Sequence, residues 1–339
     1  MQYLVKTPNM PLTDEQKKVA KALGISDTFM RLLVGRGMKE DALASFLKPS
    51  VDGLSSPFEI DGMNEAVARV KLAVERGEKI LVFGDYDCDG ICAVSILMLH
   101  LRDKANITYF IPDRGRDGYG MSVSTLERII SAQKPNLVIT VDCGITAVEE
   151  AKYLKAQGID LIVTDHHEPQ AEIPDCIVVD PKVKKSGFYE LCGAGVALKL
   201  VEALSSREEA CKYLDIAAIA TIADVVPLKD DNRIIAYYGL KQMSTSPRKG
   251  VKMLLDKDAV TSHSIMFHLA PRMNAAGRIN SAMKVVGLFL ETDYFMLKSL
   301  ADELARDNAL RQELCESTVR EAKEMLHGVD FSEVGIILL

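Results

Sequence analysis

The sequence predicts an α/β fold: a mostly parallel sheet with helices on both faces, a small helical region before it and a long connector helix after it. Three observations predict this. Short aliphatic and β-branched runs alternate with amphipathic segments from about residue 64 to residue 223, the pattern of strand–helix–strand units. The runs are apolar at successive positions, as in strands buried on both faces. After residue 230 helical periodicity continues while the strand signal fades.

Residues 1–60 read as small helices. Thr13-Asp-Glu-Gln16 is a capping-box pattern opening a helix that Gly24 closes. Ser26–Val34 and Lys39–Leu47 come next, and Pro49 stops the last. Pro57 and Gly62 mark a boundary, with no chemistry before it. The core, residues 61–230, begins with a helix over Asn64–Arg76 and a strand over Ile80–Phe83. Helices are expected over Ile91–Leu101, Ser122–Ser131, Ala147–Gln157, Gly195–Leu204 and Cys211–Ala223. Strands are expected over Ile107–Ile111, Leu137–Val141, Leu161–Thr164 and Cys176–Val179. Residues 231–290 read as further helices over Asn232–Gln242, Gly250–Leu255, Ser262–Leu269 and Ala282–Leu288. The connector, residues 291–327, holds one unbroken periodic stretch, Tyr294–Leu326. Residues 328–339 end in VGIILL, a buried-strand run that needs a sheet to join, so the chain is expected to continue into a second domain or to be a shortened piece.

With 339 residues, 48% of them hydrophobic, the chain holds ample core. A net charge of −7 argues against broad adhesion to nucleic acid but leaves room for a locally basic groove. The seven cysteines form no C-x-x-C pair, no run of roughly 18 apolar residues appears, and the N-terminus lacks a signal-peptide layout. A soluble, reduced, cytoplasmic protein with no membrane attachment is expected. Cys88, Cys92, Cys143 and Cys192 are expected to fill the core as small hydrophobes.

The chemistry concentrates in Lys79–Val94, KILVFGDYDCDGICAV. A strand ends at Gly84, Asp85, Asp87 and Asp89 come next at alternate positions, Gly90 permits a tight turn, and a helix begins. Open α/β sheets bind ligands at that edge. Such crowded carboxylates call for a divalent cation, although an acidic solvated loop would read the same way. Four more apolar segments deliver Asp142-Cys-Gly144, Asp165-His166-His167, Asp180-Pro181 and Asp224 to the same edge. Several Asp and one or two His without a thiolate cluster suit Mn²⁺ or Mg²⁺, in number sufficient for two ions. No Gly-rich phosphate loop with Lys-Ser/Thr is present, which favours hydrolysis over nucleotide-driven transfer.

Asp85-Tyr-Asp87-Cys-Asp89-Gly90, Val141-Asp142-Cys-Gly144, Asp165-His166-His167 and Ala223-Asp224, in that order, resemble the DHH phosphoesterase superfamily. The Asp-Tyr-Asp form of the first motif, Ile111–Gly120 and Pro271–Ile279 (PRMNAAGRI) resemble its branch of single-strand-specific 5′→3′ DNA exonucleases. The resemblance implies that Asp87 and Asp89 are metal ligands, that Asp142 bridges two ions, and that His166 and Asp224 complete the second. Asp85 supports the first ion directly or through water. His167, with Asp87 and Asp142, belongs to the catalytic set, contacting the scissile phosphate or protonating the leaving oxygen. Asp165 orients a His ring, and Asp180 is a turn residue.

For substrate, Arg114 resembles the residue that binds a 5′-terminal phosphate, with Arg116 and a stacking face on Tyr119 nearby. Arg272, Asn274 and Arg278 resemble contacts to backbone phosphate. Lys182, Lys184, Lys185, Arg248, Lys249 and Lys252 could extend a basic track. The superfamily normally carries a second, smaller domain after the long helix, and residues 328–339 would be its start, cut off at Leu339. The resemblance thus implies exonuclease action on single-stranded DNA in recombination and repair. A single-stranded-DNA-binding protein and a helicase would be its partners. Alternatives are a phosphoesterase of small substrates (oligonucleotides, cyclic dinucleotides, pyrophosphate) and a replication scaffold that has lost catalysis.

Overall fold

The computed structural model of the protein describes residues 11–118, 120–185, 187–255 and 259–327. Tyr119 and the expected strand over residues 331–339 lie outside them. Helices α1 (Asp14–Leu23), α2 (Asp27–Gly35) and α3 (Leu43–Leu47) come first. Thr13 and Gln16 close the capping box on α1, and Gly24 ends that helix in the left-handed conformation. Met30, Leu33 and Leu43 lie in a small core of their own. Leu54 and Ile60 instead join the principal core. Buried Lys199 holds this stretch in place, 2.8 Å from Asp231 and donating to the Ser55 carbonyl.

Helix α4 (Met63–Glu75) leads into five strands: β1 (Ile80–Gly84), β2 (Ile107–Phe110), β3 (Leu137–Val141), β4 (Asp160–Thr164) and β5 (Ile177–Val179). Between them run α5 (Cys88–Leu101), α6 (Val123–Gln133) and α7 (Val148–Ala156). The sheet is parallel throughout, in the order β2-β1-β3-β4-β5. Successive side chains take opposite faces. Leu81, Phe83, Val138 and Val163 pack with Leu126, Ile129 and Leu154 of α6 and α7. Ile80, Val82, Ile139 and Ile162 face the larger core with α4 and α5. This is the fold class the sequence predicts.

Beyond the sheet lie α8 (Pro181–Lys184), α9 (Gly193–Leu204), α10 (Arg207–Cys211) and α11 (Leu214–Ala223). Then come α12 (Asp230–Thr245), α13 (Lys249–Leu255), α14 (Ser262–Ser264), α15 (Ala270–Ile279), α16 (Met283–Leu290) and α17 (Tyr294–Met325). A π-helical turn, Ile265–Leu269, joins α14 to α15, so PRMNAAGRI forms a helix packed against its neighbours. Along the 32 residues of α17, Leu297 and Leu304 are buried, whereas Leu314, Val319 and Met325 are exposed. No helix among the described residues is long and apolar enough to cross a membrane.

One local expectation is corrected. The first motif does not turn at Gly90: α5 already begins at Cys88, with Asp87 as its N-cap and Asp89 in its first turn. The Asp87 carboxylate accepts from the Asp89 and Gly90 N–H groups, satisfying orphan donors of the helix start. Gly90 is needed for close approach, since a Cβ there would lie 2.5 Å from the Asp85 carbonyl oxygen.

Candidate metal centre at the carboxyl edge of the sheet

The sheet register builds the site. Gly84 pairs with Val141, Val141 with Thr164, and Thr164 with Val179. The next residues, Asp85, Asp142, Asp165 and Asp180, therefore leave the sheet in one row. The order of strands reverses between β1 and β3, where a crevice opens in doubly wound sheets. Asp85 and Asp142 sit at its two lips.

Two carboxylate-rich groups meet there. Asp85, Asp87 and Asp142 bring ligand atoms within 4.8 Å of one another, and so do Asp89, His166 and Asp224. His166 joins them: its Nε2 is 3.0 Å from Asp142 Oδ1, 3.5 Å from Asp89 Oδ2 and 4.0 Å from Asp224 Oδ2. Asp142, His166 and His167 make a third such group. The structure thus brings together all seven residues expected at the metal and catalytic site.

The carboxylates outweigh the positive charge near them, which His167 and Lys182 supply. Burial, with Asp87 nearby, raises the Asp85 carboxyl to about 6. Burial, Asp87 and Asp224 raise Asp89 to about 7, despite backbone N–H donors from Gly193 and Ala194 at the start of α9. Asp142 is raised well above the carboxylate range by burial and by Asp89. Asp224, at the end of α11, is raised to about 6 by desolvation and Asp87. Among the described residues Oδ1 of Asp85 is buried without a hydrogen bond, and Oδ1 of Asp142 has none beyond its approach to His166 Nε2. No Lys or Arg forms an ion pair with Asp85, Asp87, Asp89, Asp142 or Asp224 among the described residues. Hard divalent cations fit this donor set: orphaned carboxylate oxygens and an imidazole that burial holds down near 4, hence neutral. The cysteines of the motifs, Cys88, Cys92, Cys143 and Cys192, are free and buried as fillers.

The two histidines differ. His166 is buried among the carboxylates, whereas His167 is half-exposed, its Nδ1 2.7 Å from Asp165 Oδ1. That hydrogen bond raises His167 to about 8. Burial alone would raise Asp165, but the bond from His167 and the N–H groups of Ile145 and His166 keep it below its ordinary value. Asp165 thus orients a His ring, as expected. Asp180 caps α8 through the Lys182 N–H. A cavity of about 470 Å³ opens beside His167, lined by Cys143, Gly144, Ile145 and Asp165 among others.

The expected phosphate contacts divide. The Arg114 guanidinium lies 5.6 Å from the centroid of the Tyr86 ring, beside the first motif. Arg278 is exposed and, among the described residues, has no ion pair or side-chain hydrogen bond. Arg272 instead donates to the Leu254 carbonyl. Asn274 accepts from the Cys88 N–H at 2.8 Å, and Cys88 Sγ lies 3.7 Å from Met273 Sδ. A Cβ on Gly277 would lie 2.4 Å from the Tyr86 carbonyl oxygen. Helix α15 thus clamps the first motif from behind, holding Asp87 and Asp89 through the backbone between them. Of the basic track, Lys182 pairs with Glu168, Lys184 with Asp61 and Arg248 with Asp215, while Lys249 donates to the Thr292 carbonyl.

Sequence reasoning passed over this clamp and over Gly193, where a Cβ would lie 2.6 Å from Asp142 Oδ1. The signal was the run Cys192-Gly-Ala-Gly195, small residues where a helix meets the ligand row.

Residues 79–222 match the model of the DHH family, N-terminal domain. The chain is 39% identical to the single-stranded-DNA-specific exonuclease RecJ of Bacillus subtilis (strain 168), a match covering 100% of this chain and 44% of that protein. It resembles the crystal structure of exonuclease RecJ bound to manganese, with a TM-score of 0.73 and 37% identity over 77% of this chain and 69% of that one. It also resembles RecJ from Thermus thermophilus in complex with Mn²⁺, with a TM-score of 0.79 and 33% identity over 92% of this chain and 46% of that one.

Proposed function

This chain belongs to the DHH family, and we propose that it hydrolyses phosphodiester bonds of single-stranded DNA from the 5′ end, using divalent cations at the carboxyl edge of its sheet. The observation that carries the reading is the row of aspartates at the strand ends, with its orphaned carboxylate oxygens and neutral His166. The likeness to RecJ structures holding Mn²⁺ supports the same reading. The chain spans about half the length of the curated RecJ proteins it matches, 44–55%, so substrate and direction are proposed for this chain on its own.

In this reading Asp85, Asp87 and Asp142 would hold one Mn²⁺ or Mg²⁺, and Asp89, His166 and Asp224, beside Asp142, would hold a second. When bound, such ions supply Lewis acidity that activates water and stabilises the leaving oxygen. The protein does the rest. Gly193 and Ala194 fix the Asp89 carboxylate, and α15 fixes the loop that carries Asp87. Asp165 occupies Nδ1 of His167 and leaves Nε2 to face the scissile phosphate and the departing oxygen. Arg114, over the Tyr86 ring, takes the 5′-phosphate, and Arg278 holds the strand. A role in recombination and repair in the cytoplasm, beside a single-stranded-DNA-binding protein and a helicase, completes the proposal.

The test is incubation with Mn²⁺ and a 5′-phosphorylated single-stranded oligomer, alongside duplex DNA, a dinucleotide and pyrophosphate. Mononucleotides released from the single strand, and lost in Asp142→Ala, are expected. A preference for the dinucleotide or pyrophosphate would replace this reading with a small-substrate phosphoesterase.

A further inference from the structure

A cavity of about 850 Å³ lies between the N-terminal helices and the start of α12, away from the strand ends. Arg36, Lys39 and Lys48 line one wall, and Lys229 and Arg233 the other, with Asp230 as the one acid among the lining residues. Arg36, Lys39, Lys48 and Lys229 are exposed, and among the described residues none has an ion pair or side-chain hydrogen bond. Arg233 is anchored over the Phe46 ring, 4.5 Å from its centroid, with Nε donating to the Phe46 carbonyl. A chain of net charge −7 thus gathers five cations around one hollow, four of them without a partner among the described residues.

Unpartnered cations on both walls of a cleft make a site for a polyanion, because each gains a counter-charge without breaking an existing pair. The core-side wall, Pro227 to Lys229, comes shortly after Asp224 in the chain. Five extended residues span at most about 17 Å, so this wall lies within a few nucleotides of the candidate metal centre. Phe46 and Leu228 add apolar surface against which sugar and base can lie.

We propose that this cavity holds backbone phosphates of the single-stranded nucleic acid a few nucleotides from the bond being cut. The inference rests on the nuclease reading for its ligand but concerns a separate surface. Repeating phosphodiesters, each a full negative charge on a flexible strand, match cations spread over two facing walls.

The test uses an Asp142→Ala background, so that binding is read without hydrolysis, and a fluorescent 20-nucleotide oligo-dT observed by anisotropy across a salt series. Arg36→Glu with Lys39→Glu is expected to weaken binding roughly ten-fold and to lower the salt slope by about 1.4, two single-strand phosphate contacts. Lys48→Glu with Lys229→Glu, one change on each wall, should do the same. In the otherwise native chain, hydrolysis of a dinucleotide should stay unchanged, since the cavity lies beyond its reach. Unchanged oligo-dT affinity and salt slope in both pairs would overturn the proposal. So would loss of binding to a fluorescent acidic peptide with oligo-dT affinity intact. A chain that cuts no substrate yet loses oligo-dT affinity in these variants would sink the nuclease reading and leave the cavity assigned.

Discussion

Gly193→Ala tests the metal centre without touching a ligand. The added Cβ would lie 2.6 Å from both Cβ and Oδ1 of Asp142. Carbon atoms pack at about 3.5–4.0 Å, so Asp142 or the start of α9 must retreat by about 1 Å. Asp142 is poorly placed to give way, because its own backbone already sits at φ 59° at the end of β3. The Gly193 N–H also holds Asp89, so one retreat disturbs both groups of carboxylates. Disturbing such supports typically weakens metal binding 10- to 100-fold, about 1.4–2.7 kcal/mol. Gly195→Ala is the matched control: the same helix gains a similar propensity, of order 1 kcal/mol, and the nearest atoms to its Cβ belong to the Leu191 side chain, at 3.2 Å, and not to a ligand. Calorimetric titration with Mn²⁺ reads the effect, with circular dichroism to confirm folding. Weak binding by Gly193→Ala and near-native binding by Gly195→Ala are expected. A folded Gly193→Ala protein that takes up Mn²⁺ like the parent would refute the assignment of Asp142 to the centre.

Three further predictions concern the surroundings of the site. Asn274→Ala strips the Cys88 N–H of its acceptor; an unpaired buried donor costs about 1–3 kcal/mol, read as a lower Tm together with weaker Mn²⁺ uptake. Metal-free protein should lose about 1–2 kcal/mol of stability between pH 6.5 and 8.5, checked by denaturation at each pH with chelator. The folded values of Asp89 (about 7) and His167 (about 8) exceed their unfolded ones, so stability present below those unfolded values is lost as pH rises through the folded ones. His166, lowered to about 4, acts oppositely and only below about 6.5. Mn²⁺ should remove the part of the slope that Asp89 contributes, and a slope unchanged by Mn²⁺ would count against Asp89 as a ligand. Arg114→Ala should raise KM several-fold for a 5′-phosphorylated strand and little for a 5′-hydroxyl strand, with Mn²⁺ affinity intact.

The sequence alone determined where the strands end and which residue succeeds each end, because both are local. Successive apolar residues specify a doubly buried strand, and the aspartate after it is carried to the sheet edge wherever the strand pairs. That sufficed to read Asp85, Asp142, Asp165 and His166 as one cluster, with Asp224 joining them from the end of the apolar helix α11. Tertiary structure decided how the members share their work. Which oxygen stays orphaned depends on burial and on donors from α9, more than a hundred positions from Asp89. Whether Asn274 meets phosphate or backbone depends on how α15 docks against Cys88, 186 positions away. No periodicity or propensity encodes such contacts, since they arise only when separately specified elements pack and each buried N–H must find its acceptor.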